Sequence, residues 1–170
     1  MKIHTQDHAD FALLADKLGH VRVAMLTRRS PAGELFSHPM TPLEMDRHGT
    51  FWFFVSRDTQ HVQDVEAASL SFSDESRSDY VSISGSCELL VDPERAQQLW
   101  SPMARPWFPE GPLSPHLALL RFVPHSAEYW DSPGGKVVQL LALGASIAAG
   151  RPLGLGEHGR IEGLSAGAPA

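Results

Sequence analysis

The stretch Gly49-Thr50-Phe51-Trp52-Phe53-Phe54-Val55-Ser56-Arg57-Asp58 decides how the rest of the chain is read. Its centre is an unbroken run of large apolar residues, Phe51 to Val55, rich in the aromatic and β-branched types that favour strands. A strand that is apolar at every position is covered on both faces. Turn-forming Asp46 to Gly49 leads into it, and the run stops abruptly at Ser56.

Upstream, VRVAMLTRR reads as a strand over about Val21 to Arg28, Ser30-Pro31-Ala32-Gly33 as a turn, and ELFSHPMT as a second strand. Together they predict a hairpin. Before it, Phe11, Leu14, Ala15 and Leu18 recur at helical spacing, giving a helix from about Asp7 to Leu18 that Gly19 ends. Downstream, Asp58 to Val65 reads as helical with Asp58 or Thr59 as N-cap. Leu70–Ser73 and Tyr80–Leu90 read as strands around DESRSD, with Gly85 marking a bend or bulge. Asp92-Pro93 opens a short helix to about Trp100. Ser101 to His116 is proline-rich and irregular, with room for one helical turn before Pro106. Leu117–Val123 and Ala127–Trp130 read as two strands joined around Pro124-His125. Gly134-Gly135 precedes a final helix, Val137 to Ala149, and the glycine-rich remainder reads as a frayed tail. The expected class is mainly β with flanking helices, an antiparallel barrel in one domain over residues 1–150, with 151–170 as a tail.

Composition bounds the function. At 170 residues, with 42% hydrophobic and 20% charged, the chain is a globular protein of one domain's size. A formal charge of −6 argues against nucleic acid as a general partner, although one local pocket can still hold a single phosphate. Cys87 stands alone, so no intrachain disulfide forms. The first twenty residues lack the continuous apolar core of a signal peptide, and no apolar run reaches bilayer length. The expected setting is therefore the cytoplasm, without membrane attachment.

The motifs of phosphate loops, dinucleotide folds, serine hydrolases and zinc proteases are all missing, and the nine histidines are dispersed, so no metal site is expected. Ser71, Ser73, Ser76, Ser82 and Ser84 recur at strand spacing, which marks a solvated face. The corner after the apolar strand is chemically richer. Ser56 and Thr59 carry hydroxyl donors, and Arg57 and His61 carry positive charge, at a place where free backbone N–H groups favour an anion. On residue chemistry alone the plainer reading is favoured: Thr59 caps a helix while Arg57 and His61 face water. Trp52 reads as core. Trp100, Trp107 and Trp130 can be core too; Trp107, in the proline-rich loop, is also a candidate for an interface or a lid on a planar ligand, with core or dimer packing the favoured reading.

Five fragments carry a resemblance. VAMLTRRSPAGELFSHPM, GTFWFFVSRDTQHVQDV, YVSISGSCELLVDPERAQQLW, RPWFPEGP and LALLRFVPHSAEYWDSPGGKV, in unbroken order from about His20 to Leu143, resemble the FMN-binding split-barrel proteins. More narrowly, they resemble the bacterial general stress protein branch of the pyridoxamine-phosphate-oxidase-like superfamily. GEHGRIEGL also fits. The resemblance implies a split β-barrel that forms a homodimer with flavin mononucleotide (FMN) at the interface, FAD being a weaker expectation. It implies that His38, Pro39 and Met40 border the flavin and that Phe53, Phe54 and Val55 run along it. Ser56, Arg57, Thr59 and His61 would receive the phosphate, with Trp107 and Trp130 near the interface. Two positions depart from the pattern: the family commonly has arginine where this chain has His38, and often lysine where it has His61. An ordinary imidazole titrates near 6.5 and is only partly charged at neutral pH. Each lost charge-assisted contact costs about 1.5–3 kcal/mol, or one to two decades of affinity. The expected function is thus a flavin-binding general stress protein with weak, pH-sensitive binding and an oxidoreductase activity of unknown substrate. The alternatives are a non-catalytic flavin-binding or partner-binding dimer and, ranked lower, a pyridoxamine 5'-phosphate oxidase.

Overall fold

A computed structural model describes residues 1–30, 32–58, 65–131, 146–147 and 157–164, with the backbone alone described at 65, 66, 131 and 157. Among the described residues nine strands form one sheet: β1 (Lys2–Ile3), β2 (Ala24–Arg29), β3 (Leu35–Met40), β4 (Glu44–Met45), β5 (Phe51–Ser56), β6 (Val65–Asp74), β7 (Asp79–Leu90), β8 (Leu117–Asp131) and β9 (Glu157–Glu162). Two α-helices, α1 (Ala9–Leu18) and α2 (Pro93–Leu99), and a 3₁₀ turn at Pro102–Ala104 complete the described elements. The order across the sheet is β1-β4-β5-β8-β7-β6-β2-β3, with β9 added to β8. All pairs are antiparallel except β1 with β4, which departs from the purely antiparallel sheet expected. Among the described residues no ladder joins β3 to the β1–β4–β5 end, so the sheet is mixed and open.

Burial alternates along β5: Phe51, Phe53 and Val55 enter the main core, while Trp52, Phe54 and Ser56 are half-buried on the other face. The main core also takes Phe11, Leu14 and Leu18 of α1, Leu26, Leu70, Phe72, Ile83, Leu120 and Phe122. Each such fully buried side chain contributes about 1.5–3 kcal/mol of transfer free energy. Phe11 reaches the core only because Gly49 has no Cβ: one placed there would lie 2.3 Å from the Phe11 ring, and the backbone φ is +80°. On the far side of β5, Phe54 packs against Trp100 and Phe108, with ring centroids 5.7 and 6.1 Å away. Both faces of the strand are covered, as its sequence requires.

The hairpin of β2 and β3, the turn at Asp46–Gly49 and the Asp92-capped α2 match the sequence reading. Asp92 accepts a hydrogen bond from the Arg95 backbone N–H at 2.9 Å. Other expectations need correction. Leu117–Val123 and Ala127–Trp130 are one strand, β8, because Pro124 sits where the β7–β8 ladder shifts register between Ser84 and Gly85. A missing N–H is tolerated at such a step. Gly85 cannot be replaced there without strain, since a Cβ would lie 2.2 Å from the Val123 carbonyl oxygen. Val65, expected to end a helix, begins β6; the rest of that helix, residues 59–64, lies outside the described residues. The expected frayed tail includes β9, which pairs with β8 and buries Ile161, while Gly159 leaves room for the Tyr129 ring. Ser76 lies in the β6–β7 turn, its hydroxyl bonded to Asp74 at 2.6 Å, whereas Ser71, Ser73 and Ser84 are exposed on the outer face. The expected helix at Val137–Ala149 lies outside the described residues apart from Ser146 and Ile147, which are helical.

Candidate functional site

β5 ends at Ser56, and the chain then turns against the segment that leads into β8. The Arg57 backbone N–H donates to the His116 carbonyl at 2.8 Å, and its Nη1 donates to the Pro115 carbonyl at 3.2 Å. The Asp58 backbone N–H donates to Ser56 Oγ at 3.3 Å. His116 Nδ1 lies 2.7 Å from Asp58 Oδ2, with both side chains well exposed. The corner therefore presents one permanent cation, one hydroxyl and a carboxylate-oriented imidazole. Nothing in the sequence flagged His116; only the pairing of β5 with β8, Ser56 opposite Leu117, brings it beside Asp58.

Next to this corner is a cleft of ≈ 140 Å³ lined by Arg57, Asp92, Ser114, Leu113 and Leu117, among others. Ligand pockets that enclose a molecule of drug size run to about 300 Å³ and more. The cleft between the described residues is smaller than that.

His38, Pro39 and Met40 lie on β3, opposite Leu26, Met25 and Ala24 of β2. Cross-strand partners share a face, so His38 and Met40 point to the core side with Leu26 and Ala24, and Pro39 points outward with Met25. Met40 packs against the main core, which also holds Phe53 and Val55. Five ladder steps separate β3 from β5 in the sheet order, so no strand pairing brings His38 to Ser56. Thr59 and His61 lie outside the described residues. Trp107 is exposed in the loop after α2, and Trp130 stands on the outer face stacked on His158 at 5.2 Å.

Arg28, also unflagged by the sequence, lies on the core side of β2 opposite Phe36 and Ala68. Its Nε is buried with no hydrogen-bond partner among the described residues. The cations at the other end of β5 are committed. Glu44, 4% exposed, receives Arg95 Nη2 and lies 3.1 Å from His4 Nε2. Burial pushes the Glu44 carboxyl up, but Arg95 and His4 together outweigh it and hold the group below the ordinary carboxylate value. Arg95 also lies over the Trp52 ring at 4.9 Å, and the Trp52 indole N–H donates to Asp46 at 3.0 Å. That corner is structural.

The fold and the corner define a class: a mostly β protein whose described residues form one open sheet with two helices, with an exposed arginine at a strand end. The family model for pyridoxamine 5'-phosphate oxidase-like proteins matches residues 9–153, and the chain belongs to that family. A general stress protein 26 from Jannaschia sp. CCS1 is similar at 27% identity, over 91% of this chain and 99% of that one, with a TM-score of 0.71. A general stress FMN/FAD binding protein from Xanthomonas citri is similar at 28% identity, over 72% and 89% of the two chains, with a TM-score of 0.62. A general stress family protein from Xanthomonas campestris pv. campestris is 31% identical over 75% and 93%, with a TM-score of 0.61. No curated protein matches the chain. Among the described residues no helix is long and apolar enough to cross a membrane, and no group of three or more metal-ligating side chains occurs.

Proposed function

We propose that this chain binds FMN between two copies of itself, with the sheet completed as a split barrel and the flavin phosphate at the Ser56–Arg57 corner. The observation that carries this reading is that corner: a hydroxyl and an exposed guanidinium at the end of a buried strand, in a chain of this family. The small cleft beside it supports a shared site, because a planar ligand needs a second surface to cover it. In this reading His38, Pro39 and Met40 border the flavin, the backbone of Phe53 to Val55 runs along it, and His61 and Thr59 add contacts to the phosphate. Trp107 and Trp130, both exposed, face the partner copy.

Bound flavin supplies the redox chemistry, and the chain positions it. Ser56 and Arg57 hold the phosphate, and the bonds of Arg57 to Pro115 and His116 fix the corner on β8. The activity that follows is an oxidoreductase of unknown substrate. A flavin carrier without turnover is the second reading, favoured by the histidines at 38 and 61, which weaken retention of the phosphate. Oxidation of a reduced nicotinamide by the FMN-loaded protein separates the two.

The test is titration of FMN into the protein at pH 6 and pH 8, followed by flavin fluorescence, with the mass measured by light scattering. Saturable binding by a dimer is expected, tighter at the pH where histidines are charged. The phosphate's own titration near 6 acts in the opposite sense. The histidine contribution is therefore read as the difference between wild type and His38→Arg. A folded protein that binds no FMN at either pH overturns the reading.

A further inference from the structure

The cleft beside the Ser56–Arg57 corner holds groups that a single phosphate does not use. Ala96 of α2 and Leu117 of β8, both buried and packed with Phe108, line its inner side. Two more lining residues are Val91, which links β7 to α2, and Leu113, in the loop before β8. These two side chains are 59% and 65% exposed. Covering aliphatic side chains this open to water is favourable. At ≈ 140 Å³ the space is on the scale of one planar heterocyclic base rather than of a whole flavin.

Two polar groups border the same space. Asp92 caps α2 with Oδ1, which leaves its second carboxylate oxygen to accept from a ligand hydroxyl. Arg57 belongs both to the cleft and to the corner. Among the described residues its side chain makes one hydrogen bond, from Nη1 to the Pro115 carbonyl at 3.2 Å. A guanidinium has further N–H donors and can serve two neighbouring phosphates. The Asp92 carboxylate repels a second anion. An occupant therefore keeps its negative charge at Arg57 and turns a neutral, hydroxyl-bearing part toward Asp92.

We propose that this cleft is an adenosine subsite through which the chain accepts FAD, with the base against Val91 and Leu113, a ribose hydroxyl on Asp92 and Arg57 shared between the two phosphates. This rests on the flavin reading above and deepens it by naming the part of the ligand beyond the first phosphate. FMN ends at its phosphate and leaves the cleft to water. FAD continues from that phosphate into it.

The test measures FMN and FAD by isothermal titration on wild type, on the double variant Val91→Ser with Leu113→Ser, and on Asp92→Asn, together with the thermal midpoint of each protein. Wild type is expected to bind FAD about tenfold more tightly than FMN. The double variant loses that difference, and its FMN affinity stays within about twofold of wild type because FMN does not reach the two side chains. Asp92→Asn, which keeps a capping side chain, is expected to weaken FAD about threefold more than FMN. FAD that binds no more tightly than FMN overturns the subsite and leaves the flavin reading standing. An FAD advantage that survives in the double variant overturns its placement in this cleft. Equal weakening of both ligands in the double variant, with a lower midpoint, overturns it in favour of side chains that only support the fold. Wild type that binds neither flavin overturns both readings.

Discussion

The two ends of β5 carry charges of similar kind and use them differently. At the entry, Glu44 is buried and paired with Arg95 and His4, Asp46 anchors the turn and the Trp52 indole, and Arg95 covers the Trp52 ring. At the exit, Arg57 is exposed and, among the described residues, bonded only to backbone carbonyl oxygen, and the Asp58–His116 pair is open to solvent. Charges that are satisfied internally hold β1, β4, β5 and α2 together. Charges left facing outward, like Arg57, are the ones that the proposed reading gives to a ligand. The difference says which substitutions change stability and which change binding.

Arg95→Met gives the largest expected effect on stability, because it leaves the Glu44 carboxylate buried with weaker partners. A loss of about 3 kcal/mol is expected, which lowers the melting midpoint by about 6–12 °C for a chain of this size. Calorimetry reads it. FMN affinity should not move, and a parallel loss of affinity would break the distinction between the ends. Arg57→Gln is the converse. FMN should weaken by about tenfold, or 1.4 kcal/mol, with stability within about 0.5 kcal/mol of wild type; isothermal titration and a denaturant melt read the two.

Acid sharpens the comparison further. The Glu44 carboxyl is held below its ordinary value in the folded chain. It therefore stabilises the fold above the unfolded value near 4.5, and that stability is lost as pH falls through the lower folded value. In Arg95→Met the upward push of burial is less opposed, so the loss should start at higher pH; melts between pH 3 and 7 test this. The smallest effect belongs to His116→Ala. An exposed ion pair contributes about 0–1 kcal/mol, so its melt should nearly overlay that of wild type.

Much of this fold was legible because local signals and tertiary demands agree. The apolar run at β5, the turn at Ser30–Gly33, the Asp92 cap and the Gly85 step each carry their reason in a few residues. β8 was misread because Pro124 looks like a break until the shifted β7–β8 register makes a place for it. β9 was misread because a glycine-rich segment resembles a tail until the Tyr129 ring above Gly159 explains why the side chain is missing. The corner at Ser56–Arg57 drew notice from residue types alone, and its reading as a phosphate site comes from the resemblance and stands as a proposal. Arg28 and His116 were not visible. An arginine that follows an apolar strand reads as a solvated end, and only the register with Phe36 and Ala68 turns it toward the core side.

The most direct test of the account is hydrogen exchange of the protein with and without saturating FMN, resolved by residue along β3 and β5. The account predicts added protection at Ser56–Asp58 and at His38–Met40, with Glu44, Asp46 and Trp52 unchanged. Protection at the Glu44 corner instead, or none at the Arg57 end when FMN is bound, would contradict it.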